Sequence, residues 1–259
     1  MKGKRIIETV SIVFPEGKEA LDKGGYVEIS DDYRIVMGDN PPILEVEAAR
    51  LLAKEIKELA NVSIQIINIH QAVKGQKLIL VGTSFQDYLS EDFDSLKPEG
   101  YILDIDEGRI ILCGKDPAGT FYSCETLKQL LRVNGRKVIV PKVKIRDWPD
   151  YRYRGLYVES KWGPDLMTLD DWKELIDFMA RIKLNFLDVG VYGCWTIQYE
   201  NQITEFLMIP LRSYPKLKTP KTIRYYSPLN KRWVTVSYLP KIFEEDFFSE
   251  IIKLSLIHI

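Results

Sequence analysis

Two short apolar runs with one amphipathic segment between them constrain this chain more than any other feature. Gly155-Leu156-Tyr157-Val158 and Asn185-Phe186-Leu187-Asp188-Val189 read as buried strands. Between them Leu169, Trp172, Leu175, Ile176, Met179 and Ile182 recur at helical spacing, and Thr168 with Asp171 forms a capping-box pattern at the start. Strand, helix and strand in this order make a crossover unit, because strands joined through a helix run parallel and the connection turns right-handed. From Tyr192 to Phe243 no helix is evident, and only Thr222 to Tyr226 and Trp233 to Ser237 read as a small hairpin. Glu244 to Lys253 then begins a second amphipathic helix. So long a connection is uncommon in a compact domain and is more often functional than accidental.

Everything before this unit has a different rhythm. All five Trp lie after residue 147, and only nine of the 29 aromatic residues lie before residue 148. The shift falls at Arg146-Asp147-Trp148-Pro149-Asp150, a polar, Pro-containing stretch of the kind that separates domains. Residues 1–147 therefore read as one domain and residues 148–253 as the start of another. In the first, Ile6 to Phe14, Tyr26 to Ile29, Tyr33 to Met37, Ser63 to Ile69, Lys77 to Val81 and Val138 to Ile145 have strand composition. Tyr101 to Ile105 and Arg109 to Cys113 flank a hairpin turn at Asp106-Glu107-Gly108. Pro41-Pro42 opens a helix whose Val46, Ala49, Leu52, Ala53, Ile56 and Leu59 share a face. Asp116 as N-cap and Pro117 in the first turn open a second, lined by Phe121, Cys124, Leu127 and Leu131. A mixed sheet with two helices on one face is an α+β architecture.

Composition and motifs exclude more than they assign. A formal net charge of −1, with 36 Lys+Arg against 37 Asp+Glu, lacks the basic surface that nucleic-acid binding needs. No apolar run is long enough to cross a bilayer, so no membrane partner is expected. The basic start Met1-Lys2-Gly3-Lys4-Arg5 is not followed by the apolar core of a secretory signal. Cys113, Cys124 and Cys194 are odd in number and lack a CxxC, which reads as reduced thiols in a cytoplasmic protein. The only histidines, His70 and His258, form no HExxH, so no metal site is predicted. There is no GxGxxG, GxxxxGK[ST] or GxSxG, and Gly114-Lys115-Asp116-Pro117-Ala118-Gly119-Thr120 matches a phosphate loop only superficially. No cofactor is expected. The acidic pairs Asp170-Asp171 and Glu244-Glu245-Asp246 sit in first turns of helices, where the dipole favours carboxylates.

Several blocks together resemble a known family. They are Pro117-Ala118-Gly119-Thr120-Phe121-Tyr122, Thr126-Leu127-Lys128-Gln129-Leu130-Leu131, Asp147-Trp148-Pro149, Tyr153-Arg154-Gly155-Leu156 and Leu175-Ile176-Asp177-Phe178-Met179. In this order they are similar to glycoside hydrolase family 20, the β-N-acetylhexosaminidases, over about residues 24–195. The resemblance implies a metal-free, zincin-like α+β domain followed by a (β/α)8 TIM barrel, of which this chain holds the first two strands. It also implies a carbohydrate substrate, with Arg154 matching the Arg of the family's first-strand motif that binds sugar hydroxyls. A guanidinium fork suits two neighbouring hydroxyls; a surface ion pair is the alternative for Arg154. Glu159 stands where the family has an Asp, either orienting Arg154 or joining a structural ion pair.

After the second strand the pattern departs. The family's His-rich segment is replaced by Gly190-Val191-Tyr192-Gly193-Cys194, and only Trp195 corresponds to the family's Trp. Tyr192 and Trp195 suit pocket walls that stack on sugar C–H faces, or else core packing. The family's mechanism is substrate-assisted. Its Asp-Glu pair follows the fourth barrel strand, so no catalytic residue is assigned within these 259 residues, and the chain alone is expected to be inactive. Leu254-Ser255-Leu256-Ile257-His258-Ile259 reads as a non-native tail. Two other functions stay open: a related glycosidase such as an α-glucuronidase, and a non-catalytic carbohydrate-binding protein. Oligomeric state is not legible.

Overall fold

The computed structural model describes residues 13–90, 93–135, 137–159, 167–189, 198–199, 202–203, 222–227, 230–237 and 249–253. The chain forms two units: Met1–Arg152 with Arg181–Lys183, and Tyr153–Ala180 with Leu184–Ile259.

The first unit is built on a mixed sheet of eight strands. They are β1 (Glu19–Ile29), β2 (Tyr33–Met37), β3 (Gln65–Asn68), β4 (Lys77–Val81), β5 (Tyr101–Asp106), β6 (Arg109–Gly114), β7 (Arg132–Asn134) and β8 (Lys137–Asp147). Their order is β1-β8-β5-β6-β4-β2-β3, with β7 also on β8. The β3, β2, β4 and β6 strands run parallel to one another, and β6, β5, β8 and β1 alternate in direction. Two helices, α1 (Ile43–Ala60) and α2 (Pro117–Leu130), complete the expected α+β arrangement. The expected strand Ile6 to Phe14 lies outside the described residues except for Val13 and Phe14, which form a bend. Strand β1 is longer than its sequence predicts. Its charged half pairs with β8 from Glu19↔Arg146 to Asp22↔Val143, and a register shift at Gly24-Gly25, both at positive φ, separates this from the apolar half.

Both faces of the sheet are covered. Leu78 and Leu80 of β4, Ile111 and Cys113 of β6, and Ile102 of β5 pack with Phe85, Phe93 and Leu96 from the loops. The alternating residues Ile79, Val81, Ile110, Leu112, Tyr101 and Leu103 take the opposite face with the two helices, whose Ala49, Leu52, Ile56, Phe121 and Leu127 are buried. Asp116 caps α2 as predicted, its Oδ1 accepting from the Gly119 amide at 2.9 Å while its Oδ2 accepts from the Glu99 amide at 2.7 Å. Only glycine fits at 119, because a Cβ there would overlap the Gly100 carbonyl oxygen.

Where β8 ends, four polar side chains meet in the interior. Tyr101 Oη lies 2.6 Å from Thr126 Oγ1 and donates to Asp147 Oδ2 at 3.0 Å. Lys183 Nζ donates to both Tyr101 Oη (2.8 Å) and Asp147 Oδ2 (3.2 Å). Burial, then the Asp147 charge, holds the Tyr101 phenol well above its ordinary range. Lys183 sits at φ +61°, in the region that favours Gly or Asn after a helix, and its buried ammonium is what requires lysine there.

The second unit pairs β9 (Gly155–Val158) with β10 (Phe186–Val189) in parallel through α3 (Leu169–Arg181). The capping box forms as expected: the Asp171 amide donates to Thr168 Oγ1 and the Thr168 amide to Asp171 Oδ2. Trp172 and Ile176 of α3 pack with Val158, Leu187 and Val189 and with Ile251, which lies in a helical stretch at 249–253. The predicted hairpin forms between Thr222–Ser227 and Arg232–Ser237. The tail at 254–259 lies outside the described residues.

Two stability experiments follow from the buried charges. Lys183→Met leaves Asp147 buried without its cation and is expected to cost about 3–5 kcal/mol, read by urea unfolding; a cost below about 1 kcal/mol, the scale of a surface pair, would contradict the network. Glu125 on α2 is 2% exposed, and its Oε2 has no partner among the described residues, although its Oε1 pairs with Lys128 Nζ at 2.7 Å. Burial dominates and raises its carboxyl above the ordinary 4.5. From 4.5 up to that raised value the native state binds more protons than the unfolded state, so this contribution is present at low pH and lost as pH rises through the raised value. Glu125→Gln should therefore be more stable than the parent at pH 7 and flatten that part of the pH profile of the unfolding midpoint.

Candidate functional site

In the second unit the strand pair separates two sets of side chains. Leu156, Val158, Leu187 and Val189 are partly buried, whereas Tyr157, Phe186 and Asp188 are exposed on the other face. Register places Asp188 directly beside Tyr157. Glu159 follows the last residue of β9, two positions beyond Tyr157 and so on the same face. The Tyr157 hydroxyl donates to the Glu159 carboxylate; that bond, some burial, and the charges of Glu159 and Asp188 push its pKa up to about 12. Two carboxylates thus flank a phenol at the carboxyl ends of two parallel strands, the end at which α/β units hold their ligands.

Arg154 stands elsewhere. It immediately precedes β9, and its backbone carbonyl accepts from the amides of Asn185 (2.7 Å) and Phe186 (3.1 Å). Its own amide donates to Asn185 Oδ1 at 2.9 Å. Gly155 completes this lock, since a Cβ there would overlap the Phe186 carbonyl oxygen. Five steps at roughly 3.3 Å put the Arg154 and Glu159 backbones about 16 Å apart at opposite ends of the strand. The described contacts group Glu159 with Tyr157 and Asp188. Tyr192 and Trp195 lie outside the described residues.

Sequence reasoning passed over Tyr157 and Asp188, although the signal was present. Once Leu156 and Val158 are assigned to the helix-facing side, period two sends Tyr157 and Glu159 to the other side. The stretch resembling a phosphate loop has a structural explanation. Gly114 N donates to Thr120 Oγ1 (3.1 Å), and Lys115 Nζ is engaged by the carbonyls of Leu96 (2.7 Å) and Asp94 (3.1 Å). Among the described residues no group of three or more His, Cys, Asp or Glu side chains is arranged to hold a metal ion.

Residues 10–148 match the model of glycosyl hydrolase family 20, domain 2. The chain belongs to glycosyl hydrolase family 20. A β-hexosaminidase of Porphyromonas gingivalis is 32% identical to this family-20 chain over 145 residues, covering 53% of it and 17% of the relative. One from Vibrio furnissii is 31% identical over 91 residues, 35% of this chain and 15% of the relative. The chain thus spans about a sixth of the length of these curated relatives. The family-20 exo-β-N-acetylglucosaminidase of Vibrio harveyi, solved in complex with N-acetylglucosamine, has a similar fold. Its TM-score is 0.64 at 16% identity, over 96% of this chain and 35% of that one. The β-N-acetylhexosaminidase of Streptomyces coelicolor gives a TM-score of 0.56 at 21% identity, over 70% of this chain and 35% of that one.

The Tyr157–Glu159 bond can be tested by titration. In Glu159→Gln the Tyr157 phenol should ionise below the parent's value of about 12, toward its ordinary 10. NMR of protein labelled at tyrosine Cζ reads this, with Tyr157→Phe identifying the resonance. An unchanged titration would separate the two side chains.

Proposed function

We propose that this chain is part of a longer exo-acting β-N-acetylhexosaminidase, in which β9, α3 and β10 open a (β/α)8 barrel. The observation that carries this reading is the family-20 match over residues 10–148, joined by β-hexosaminidase relatives at 31–32% identity. In the family's mechanism the substrate's own 2-acetamido oxygen attacks the anomeric carbon, an Asp orients it, and a neighbouring Glu protonates the leaving oxygen. Both acids come from the later barrel strands of the longer enzyme. What this chain contributes is one wall of the sugar site. Glu159 and Asp188 accept hydrogen bonds from sugar hydroxyls, and Tyr157 fixes the orientation of Glu159. Tyr192 and Trp195, on the connection leaving β10, supply faces that stack on sugar C–H surfaces. The Arg154 guanidinium, at the entry of β9, donates to hydroxyls of the terminal sugar, while its backbone belongs to the strand lock.

The longer enzyme should release nitrophenol from a nitrophenyl β-N-acetylglucosaminide and not from a nitrophenyl α-glucuronide, while the 259-residue chain alone releases none from either. Glu159→Gln and Arg154→Ala should each lower kcat/KM by about ten- to a hundredfold, the worth of one hydrogen bond to a charged group. An Arg154→Ala variant as active as its parent would make Arg154 a structural residue only. Hydrolysis of uronic acid substrates alone would make the parent an α-glucuronidase. Binding of sugar without hydrolysis would make it a carbohydrate-binding protein.

A further inference from the structure

The long connection after β10 carries a feature that the terminal-sugar site does not use. In the hairpin formed by residues 222–227 and 232–237, Tyr226 pairs with Trp233 and Arg224 with Thr235, so these four share one face. That face is open: Trp233 is 59% exposed and Tyr226 50%. The two rings meet edge to face with centroids 5.9 Å apart, and the Arg224 guanidinium lies 5.3 Å from the centre of the indole. The other face carries Ser227, fully buried, Val234, partly buried, and the exposed Arg232. A hairpin that displays Trp, Tyr and Arg together offers a stacking surface with a cation at its edge, over and above what the ring pair contributes to the hairpin's own stability.

Charge identifies the kind of ligand. The hairpin, residues 222–237, contains three cations (Arg224, Lys231 and Arg232) and no Asp or Glu, in a chain whose net charge is −1. The aromatic pair matches the flat C–H face of a pyranose, and the guanidinium beside it matches a carboxylate or sulfate through its fork of N–H donors. We propose that the face formed by Arg224, Tyr226 and Trp233 binds an anionic glycan, one in which acidic sugars alternate with the N-acetylhexosamine that the enzyme removes. The alternation rests on the hexosaminidase reading above; the anionic preference rests on the hairpin and its charges alone. A nucleic acid also offers anions and flat rings, but the near-zero net charge of the whole chain and its family favour the glycan.

The test uses the longer enzyme and a chondroitin sulfate hexasaccharide, with a chitin hexasaccharide as the neutral control and a single-stranded RNA as the competing polyanion. Binding is measured by calorimetry at low and at moderate salt, and nitrophenyl N-acetylglucosaminide hydrolysis is measured in parallel. The sulfated hexasaccharide should bind more tightly than the chitin oligomer and weaken as salt rises. Arg224→Gln should weaken its binding about tenfold, the worth of one charge-assisted contact. Trp233→Ala should weaken it at least as much, and Trp233→Phe, which keeps a ring in the hairpin, should retain most of it. All three variants should hydrolyse the short nitrophenyl substrate at the parent rate, because neither Arg224 nor Trp233 belongs to the terminal-sugar site proposed above. Equal binding of the neutral and sulfated oligosaccharides, no effect of Arg224→Gln, or tighter binding of the RNA would each overturn the proposal. Absence of nitrophenyl hydrolysis in the parent, with sulfated-glycan binding intact, would instead overturn the hexosaminidase reading and leave the hairpin's role standing.

Discussion

Asp147 is a carboxylate taken almost wholly out of water, and the far end of the first unit is organised around keeping it satisfied. Its partners come from separate parts of the chain: Tyr101 opens β5, Lys183 follows α3, and the Lys18 amide donates to Oδ1 at 3.2 Å from just ahead of β1. Thr126 of α2 joins through the Tyr101 hydroxyl. A buried ion pair contributes little net stability compared with apolar packing, yet breaking it is expensive. The network therefore acts less as glue than as a condition on folding: the ends of β5, β8 and α2 must arrive together, or a charge is left stranded. Glu45 plays a similar part where α1 and α2 begin. It is 2% exposed, and its Oε1 accepts from the Thr83 amide (2.9 Å) and from Thr120 Oγ1 (3.3 Å), which ties α1 to α2 and to the loop after β4.

The second unit has a simpler logic. One face of two parallel strands is apolar and meets Trp172 and Ile176, and the other carries Tyr157, Glu159 and Asp188. The division of labour between packing and chemistry follows from the period of a strand. A one-residue slip would exchange the two sets, so the lock between Arg154, Gly155 and Asn185 also decides which residues face a ligand.

Much of this was legible in advance, and the reasons are physical. Strands β2, β4 and β9 begin and end where their composition changes, because Gly, Asp and Pro punctuate them. The Asp116 cap and the Thr168–Asp171 box are local codes that need no tertiary information. The charged half of β1 was not legible: Glu19-Ala20-Leu21-Asp22 carries no strand signal and is extended only because β8 offers it a partner. Lys183 was equally hidden, since nothing in its neighbours announces a buried ammonium. For the site, the resemblance directed attention to the Arg-Gly motif, whereas the residues at the ligand-facing end follow from parity along the strand. Tyr192 and Trp195 remain a proposal resting on sequence.

Gly155 makes its contribution through an absence. The backbone of β10 passes so close that no side chain fits, and the bonds that hold it there belong to backbone atoms and to one asparagine amide. The Arg-Gly pair is therefore asymmetric under mutation. The glycine is demanded by chain topology in any protein that keeps this strand pair, whatever sugar it handles, whereas the arginine enters the lock through its amide and carbonyl and keeps its guanidinium for other contacts. A motif of this kind is a marker of descent and architecture, and its presence in a distant homologue licenses an inference about shape well before one about substrate.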